Sequence, residues 1–239
     1  MILASGAAKR SQRGSREEAE KPFWISFSDL MSALMVLFLV AMSVALLAVT
    51  KRVSEEELAK NQRDREIAEL LRHVASAAEG FQGIRVAGQS IDFGDQARFE
   101  YGSYKLTDKQ AALLRAFVPK ILTIASQPQG EKWLKQIVVE GFTDQQGSYL
   151  FNLNLSLERS QRVLCALLAP PGAGEEALND SDKEKIRDLF LVGGYSFNSA
   201  KERPEESRRI ELRLEFASID EGPRLEGGTT HGNFGTCAI

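Results

Sequence analysis

The sequence predicts a single N-terminal transmembrane helix followed by an α/β domain. Three observations carry that prediction. Residues 30–49 run for twenty positions without a charge. From residue 84 onward, short apolar runs alternate with stretches of helical period, as expected of helices layered on a small sheet. The last run, "RRIELRLEF", alternates strictly, with Ile210, Leu212, Leu214 and Phe216 on one face.

The elements follow in order. Residues 1–21 mix Lys9, Arg10, Arg13, Arg16 and Lys21 with Glu17, Glu18 and Glu20 and read as a cytoplasmic tail. Residues 22–50 form the membrane helix: twenty uncharged residues at about 1.5 Å each span roughly 30 Å, the hydrocarbon thickness. A signal peptide has a shorter apolar core and no acid at its head. The five basic residues before the helix place the N-terminus in the cytoplasm and the rest of the chain outside it, although Lys51 and Arg52 follow at once. Residues 51–83 read as a helical connector. Ser54 and Glu57 have capping-box spacing, and Ile67, Leu70, Leu71, Val74 and Ala78 recur at helical period up to Gly80 and Gly83. A solvated helix joining two parts is the expectation.

The domain spans residues 84–217. "IRVAGQSIDF" predicts a hairpin about Ala87 and Gly88. "LTDKQAALLRAFVPKILTIA" predicts a helix with a capping box at Thr107 and Gln110. "KQIVVEGF" is a buried strand, "LSLERSQRVLCALL" a helix capped by Ser156, and "DKEKIRDLF" another helix. The Gly-rich residues 218–239 read as an irregular tail.

Composition excludes several functions. A net charge of −3 leaves no dominant basic face for nucleic acid. His73, His231, Cys165 and Cys237 are not at metal-ligand spacing, and no phosphate loop or nucleophile elbow is present. Neither an enzyme nor a cofactor is expected. With residues beyond 50 in an oxidising compartment, the even count predicts a Cys165–Cys237 disulfide pinning the tail to the helix that holds Cys165. The alternative is two independent thiols, Cys165 packed and Cys237 exposed.

One residue contradicts the hydrophobic pattern. Asp29 lies inside the membrane segment, where a carboxylate at mid-helix costs about 2.5–3.5 kcal/mol and less near an interface. Two readings stand: an acid that snorkels to the headgroups, or a protonatable site, neutral in apolar surroundings and charged in water. Ser32, Ala33, Val36 and Val40 share its face, a small-sided stripe suited to helix packing.

Two stretches carry a family resemblance. "PFWISFSDLMSALMVLFLV" resembles the membrane segment of the flagellar stator B subunit, MotB, which implies that Asp29 carries the transported ion, H⁺ or Na⁺. "VVEGFTDQQGSYLFNLNLSLERSQRVL" resembles the OmpA-like peptidoglycan-binding domain, implying a βαβαβ-type periplasmic fold. Thr143, Asp144, Gly147, Asn152, Leu155, Ser156 and Arg159 fall at that family's spacing. The resemblance implies that Asp144 and Arg159 grip a diaminopimelate of the peptide stem, with Thr143, Asn152 and Arg209 beside them. An anion for the ammonium and a forked cation for the carboxylate make chemical sense. Replacing either charge is expected to abolish wall binding and leave the domain folded. Two departures fall on the rim: Phe142 stands where the family has histidine, and Ser207-Arg208-Arg209 where it has Asn-Arg-Arg.

Together with "LFLVGGYSFNSAKE", these stretches resemble the MotB-like B subunit of the Zorya anti-phage system. That resemblance implies an inner-membrane homodimer threaded through a pentameric MotA-like A subunit, anchored to peptidoglycan, with ion flow driving rotation. A flagellar-type stator subunit and a passive membrane-to-wall tether are the alternatives.

Overall fold

The computed structural model of the chain describes residues 17–170, 177–221, 234, 235 and 237. Of the expected N-terminal tail, residues 1–16 lie outside the described residues, while 17–21 are already helical. Most of the expected C-terminal tail also lies outside them.

Helix α1 (Glu17–Glu79) runs for 63 residues. From residue 23 to residue 79 the sequence holds neither glycine nor proline, so a helix once nucleated propagates to Gly80. Ser54 and Glu57 therefore do not begin a helix. They sit inside one, where the backbone N–H groups already have carbonyl partners one turn back.

The chain divides into two compact units, Met1–Leu58 and Ala59–Ile239. In the first, one helix is long and apolar enough to cross a membrane by length and composition. Its hydroxyls are satisfied internally: Ser32 donates to the Ser28 carbonyl at 2.8 Å and Ser43 to that of Leu39 at 2.7 Å. Such back-bonding suits a segment without water to solvate it.

The second unit begins earlier than the sequence suggests, because the end of α1 belongs to the domain. Ile67, Leu70, Val74 and Ala78 are buried, the last three within the main core. Each large apolar side chain so buried contributes about 1.5–3 kcal/mol, which explains why this stretch is not a solvated connector. Polar contacts reinforce the docking: Arg63 Nε donates to the Ala217 carbonyl at 2.8 Å, and Glu66 accepts from Lys132 Nζ at 2.8 Å and from Trp133 Nε1.

A five-stranded sheet follows, made of β1 (Arg85–Ala87), β2 (Ser90–Asp92), β3 (Leu134–Gly141), β4 (Phe190–Gly194) and β5 (Ile210–Phe216). The order is β1-β2-β5-β3-β4, with β3 and β4 parallel and every other pair antiparallel. The hairpin turns at Gly88 and Gln89, where predicted. The helices are α2 (Asp108–Ala125), α3 (Pro128–Trp133), α4 (Tyr149–Leu168), α5 (Asp180–Leu189) and the short α6 (Pro204–Ser207). From β2 to β4 the principal elements read β-α-β-α-β, with β5 inserted between β2 and β3 in the sheet. The fold class is the one expected.

Local chemistry explains most boundaries. Thr107 and Gln110 form the expected reciprocal box at the start of α2. Helix α4 starts two turns before the expected cap: Ser148 accepts from the Phe151 N–H, and Ser156 lies mid-helix. The sheet face toward the helices carries Ile137, Val139, Ile210, Leu212 and Leu214, all fully buried. They meet Leu114, Phe117 and Ile121 of α2 and Val163 and Leu167 of α4 in one cluster. At the end of β3 the packing is tighter still: a Cβ on Gly141 would lie 1.9 Å from the Ser156 carbonyl oxygen. Glycine there lets α4 rest directly on the strand, which fixes the height of the side chains on its lower face.

Candidate functional site

The segment joining β3 to α4 is tied down at each step. Phe142 N–H donates to the Arg209 carbonyl at 3.0 Å and Thr143 N–H to that of Ser196 at 2.9 Å. Asp144 Oδ1 accepts from Gln146 N–H at 3.1 Å, an Asx turn, while Asn152 Nδ2 donates to the Gln146 carbonyl at 2.8 Å. Gly147 completes the turn with φ of 99°, a conformation open to glycine.

Asn152, Ser156 and Arg159 share the buried face of α4. Ser156 holds structure together: its hydroxyl donates to the Leu153 carbonyl and accepts from the Ser196 N–H. Arg159 has no exposed surface. Its Nε donates to the Ser103 carbonyl at 2.9 Å, Nη1 to that of Phe142 at 2.7 Å and Nη2 to that of Glu100 at 3.3 Å. The guanidinium also lies 4.9 Å from the centre of the Phe99 ring. Burial pushes Arg159 down to about 10; the charge of Asp144 opposes this and that of Arg208 adds to it.

The expected residues thus divide. Thr143, Asp144, Asn152 and Arg159 line one small cavity of about 10 Å³, together with Tyr101 and Gly102. That volume holds about one water. Thr143, one of its lining residues, carries a buried Oγ1 without a hydrogen-bond partner among the described residues. Arg209 does not line it. Its guanidinium stacks 4.1 Å from the centre of Phe142, pairs with Glu211 at 2.6 Å, and borders a separate cavity of about 220 Å³ beside Arg98, Lys201 and Asp92. The cation on Asp144 is instead Arg208, whose Nη1 stands 3.0 Å from Oδ2. The alternation of β5 does not reach these two arginines: the strand begins at Ile210, and Arg208 caps the end of the short helix α6, so strand parity carried no signal for which of them meets Asp144.

Cys165 of α4 and Cys237 are joined by a disulfide with Cα atoms 5.7 Å apart. No group of His, Cys, Asp or Glu that could hold a metal occurs among the described residues. Asp29 lies exposed on α1 and has no side-chain hydrogen bond or ion pair with another described residue. Unlike the neighbouring hydroxyls, a carboxylate cannot donate back to its own helix, so α1 offers it no internal solution.

Residues 8–54, which include Asp29, match the family described as membrane MotB of the proton-channel complex MotA/MotB. Over 219 residues, covering 90% of this chain and 87% of the relative, the sequence is 42% identical to the Zorya protein ZorB of Escherichia coli. The chain belongs to the ZorB family. Among solved structures, the periplasmic domain of Helicobacter pylori MotB (residues 90–256) is 17% identical, covering 60% of this chain and 86% of that one, with a TM-score of 0.39. The OmpA-like domain of FopA1 from Francisella tularensis is 16% identical, covering 56% of this chain and 82% of that one, with a TM-score of 0.34. In this ZorB-family chain the MotB match therefore falls on the apolar half of α1, and the Asp144 site falls on the α/β unit.

Proposed function

We propose that this chain is an ion-driven inner-membrane motor subunit of an anti-phage system, anchored to peptidoglycan on the periplasmic side. Two copies pair within a pentameric MotA-like A subunit, and Asp29 passes H⁺ or Na⁺ between the partner's surface and water. The observation that carries the reading is Asp29 itself. It is the sole charge between Lys21 and Lys51, and it lies in the stretch that matches the MotB family. An acid in that position is costly unless its protonation or ion occupancy is used. The wall anchor is the Asp144 and Arg159 pair, opposite charges for the two charged ends of an amino acid.

The test is Asp29→Asn, which keeps the size of the side chain and removes its charge. The helix inserts at least as well, and assembly with the partner is unchanged. Flux through the purified complex in liposomes disappears, and so does protection in plaque assays. Full flux and protection by the Asn variant would overturn the motor reading and leave a passive tether.

A further inference from the structure

The two charges assigned to the ligand both have partners in the folded chain. Asp144 Oδ2 holds Arg208 Nη1 at 3.0 Å, and its Oδ1 holds the Gln146 N–H. Arg159 gives three of its five N–H groups, one each from Nε, Nη1 and Nη2, to backbone carbonyls. Two of those carbonyls, Glu100 and Ser103, belong to one turn, closed by the Ser103 N–H donating to the Glu100 carbonyl at 3.1 Å. Arg208 grips the base of the same turn: its Nε donates to the Phe99 carbonyl at 3.1 Å, and its own carbonyl accepts from the Phe99 N–H at 2.9 Å. Asp144 is 5% exposed, and the cavity that it lines with Arg159 has about 10 Å³, room for about one water.

We propose that Arg208 is a built-in competitor for the ligand's ammonium, a latch that sets the affinity and selectivity of the Asp144 site. The inference rests on the wall-binding reading above and deepens it. Binding is then an exchange. The incoming ammonium takes Asp144 from Arg208, and the incoming carboxylate meets the N–H groups of Arg159 beyond the three that hold carbonyls. As the Arg208 side chain swings away, the turn at 99–103 loses its link through Arg208 to Asp144, and the cavity opens. A ligand without a cation cannot displace Arg208, so the site selects free amino-acid ends over neutral ones. Arg208 acts on the ligand through Asp144 and makes no bond to it.

The experiment uses the full chain in detergent with two probes, purified diaminopimelate-type peptidoglycan and the soluble stem tripeptide ending in diaminopimelate. Arg208→Ala binds the tripeptide about tenfold tighter than wild type, an increase that loss of a merely structural residue does not produce. Arg208→Gln keeps a donor for the Phe99 carbonyl and removes the charge; it also binds tighter and serves if the Ala variant fails to fold. Adding Asp144→Ala abolishes binding in either background. Equal or weaker binding by a folded Arg208 variant, with wild type binding normally, overturns the latch and makes Arg208 an ordinary ligand contact or support. If wild type and every Arg208 variant fail to bind both probes, the wall-binding reading falls, and the latch falls with it.

Discussion

Removing Arg159 should destabilise the fold around the site as well as alter its binding. Arg159→Ala leaves the carbonyls of Phe142, Ser103 and Glu100 without donors and vacates the face of Phe99. Hydrogen bonds to a charged group are worth about 1.5–3 kcal/mol each, and a desolvated cation over an aromatic ring about 2. Their sum overstates the loss, because truncation also removes the cost of burying the guanidinium. The Glu100 bond is long, and that turn can open to water. A net loss of about 3–5 kcal/mol remains, the range for breaking a buried charged network. For a unit of this size that lowers the melting midpoint by on the order of 10 °C. Guanidinium titration of the full chain in detergent, followed by near-UV ellipticity, measures it. Arg159→Lys, which keeps the charge with fewer donors, should fall between wild type and Ala. An Ala variant within about 1 kcal/mol of wild type would refute the view of Arg159 as the clasp of the β3–α4 segment. The expectation that either site charge can be removed with the fold intact is thus harder to meet at Arg159, with its three buried carbonyl contacts, than at Asp144.

The docking of α1 should be sensitive to acid. Hydrogen bonds from Lys132, Trp133 and Gln62 hold Glu66 down to about 2, below its ordinary 4.5. Its contribution is therefore complete above about pH 4.5 and is lost as the pH falls toward 2. Glu66→Gln should cost about 1 kcal/mol at pH 7, a figure kept small because the partner Lys132 is 51% exposed, and most of the difference from wild type should be gone at pH 2. Hydrogen exchange of amides 63–78 measures both. The Cys165–Cys237 bridge spans 72 positions, and the chain-entropy relation gives at most about 4 kcal/mol for a loop of that size. Cys237→Ser should lower the denaturation midpoint under oxidising conditions and match reduced wild type; identical midpoints for oxidised wild type and variant would refute a stabilising role.

Legibility in the sequence followed the range of the physics. The Thr107 box, the hairpin at Gly88 and the alternation of β5 are signals that lie within a few residues, and the structure repeats them. The box at Ser54 has the same local signature, yet helix formers on both sides let α1 run through it. Ser148 and Ser156 are equally good caps on paper; packing of Gly141 against Ser156 shows that the helix is already formed at the second. Strand β4 escaped notice because "FLVGG" is short and ends in two glycines, and its pairing with β3 is supplied by residues fifty positions away. At the site, the motif gave Thr143, Asp144, Asn152 and Arg159. The carbonyls that hold Arg159 come from a turn with no chemical signature, since any residue supplies a carbonyl.

Gly141 has a consequence for judging other chains. A search that looks for an aspartate and an arginine at the right separation tests the charges and ignores the distance between helix and strand. Any side chain at the position of Gly141 must push the helix outward, because the Ser156 carbonyl occupies the place of its first carbon. Such a chain would pass the motif test while its arginine stood too far out to reach the turn that Arg159 holds here. A glycine at that position is thus a spacing gauge, and its loss in a relative marks a site whose charges no longer converge, even where both are present.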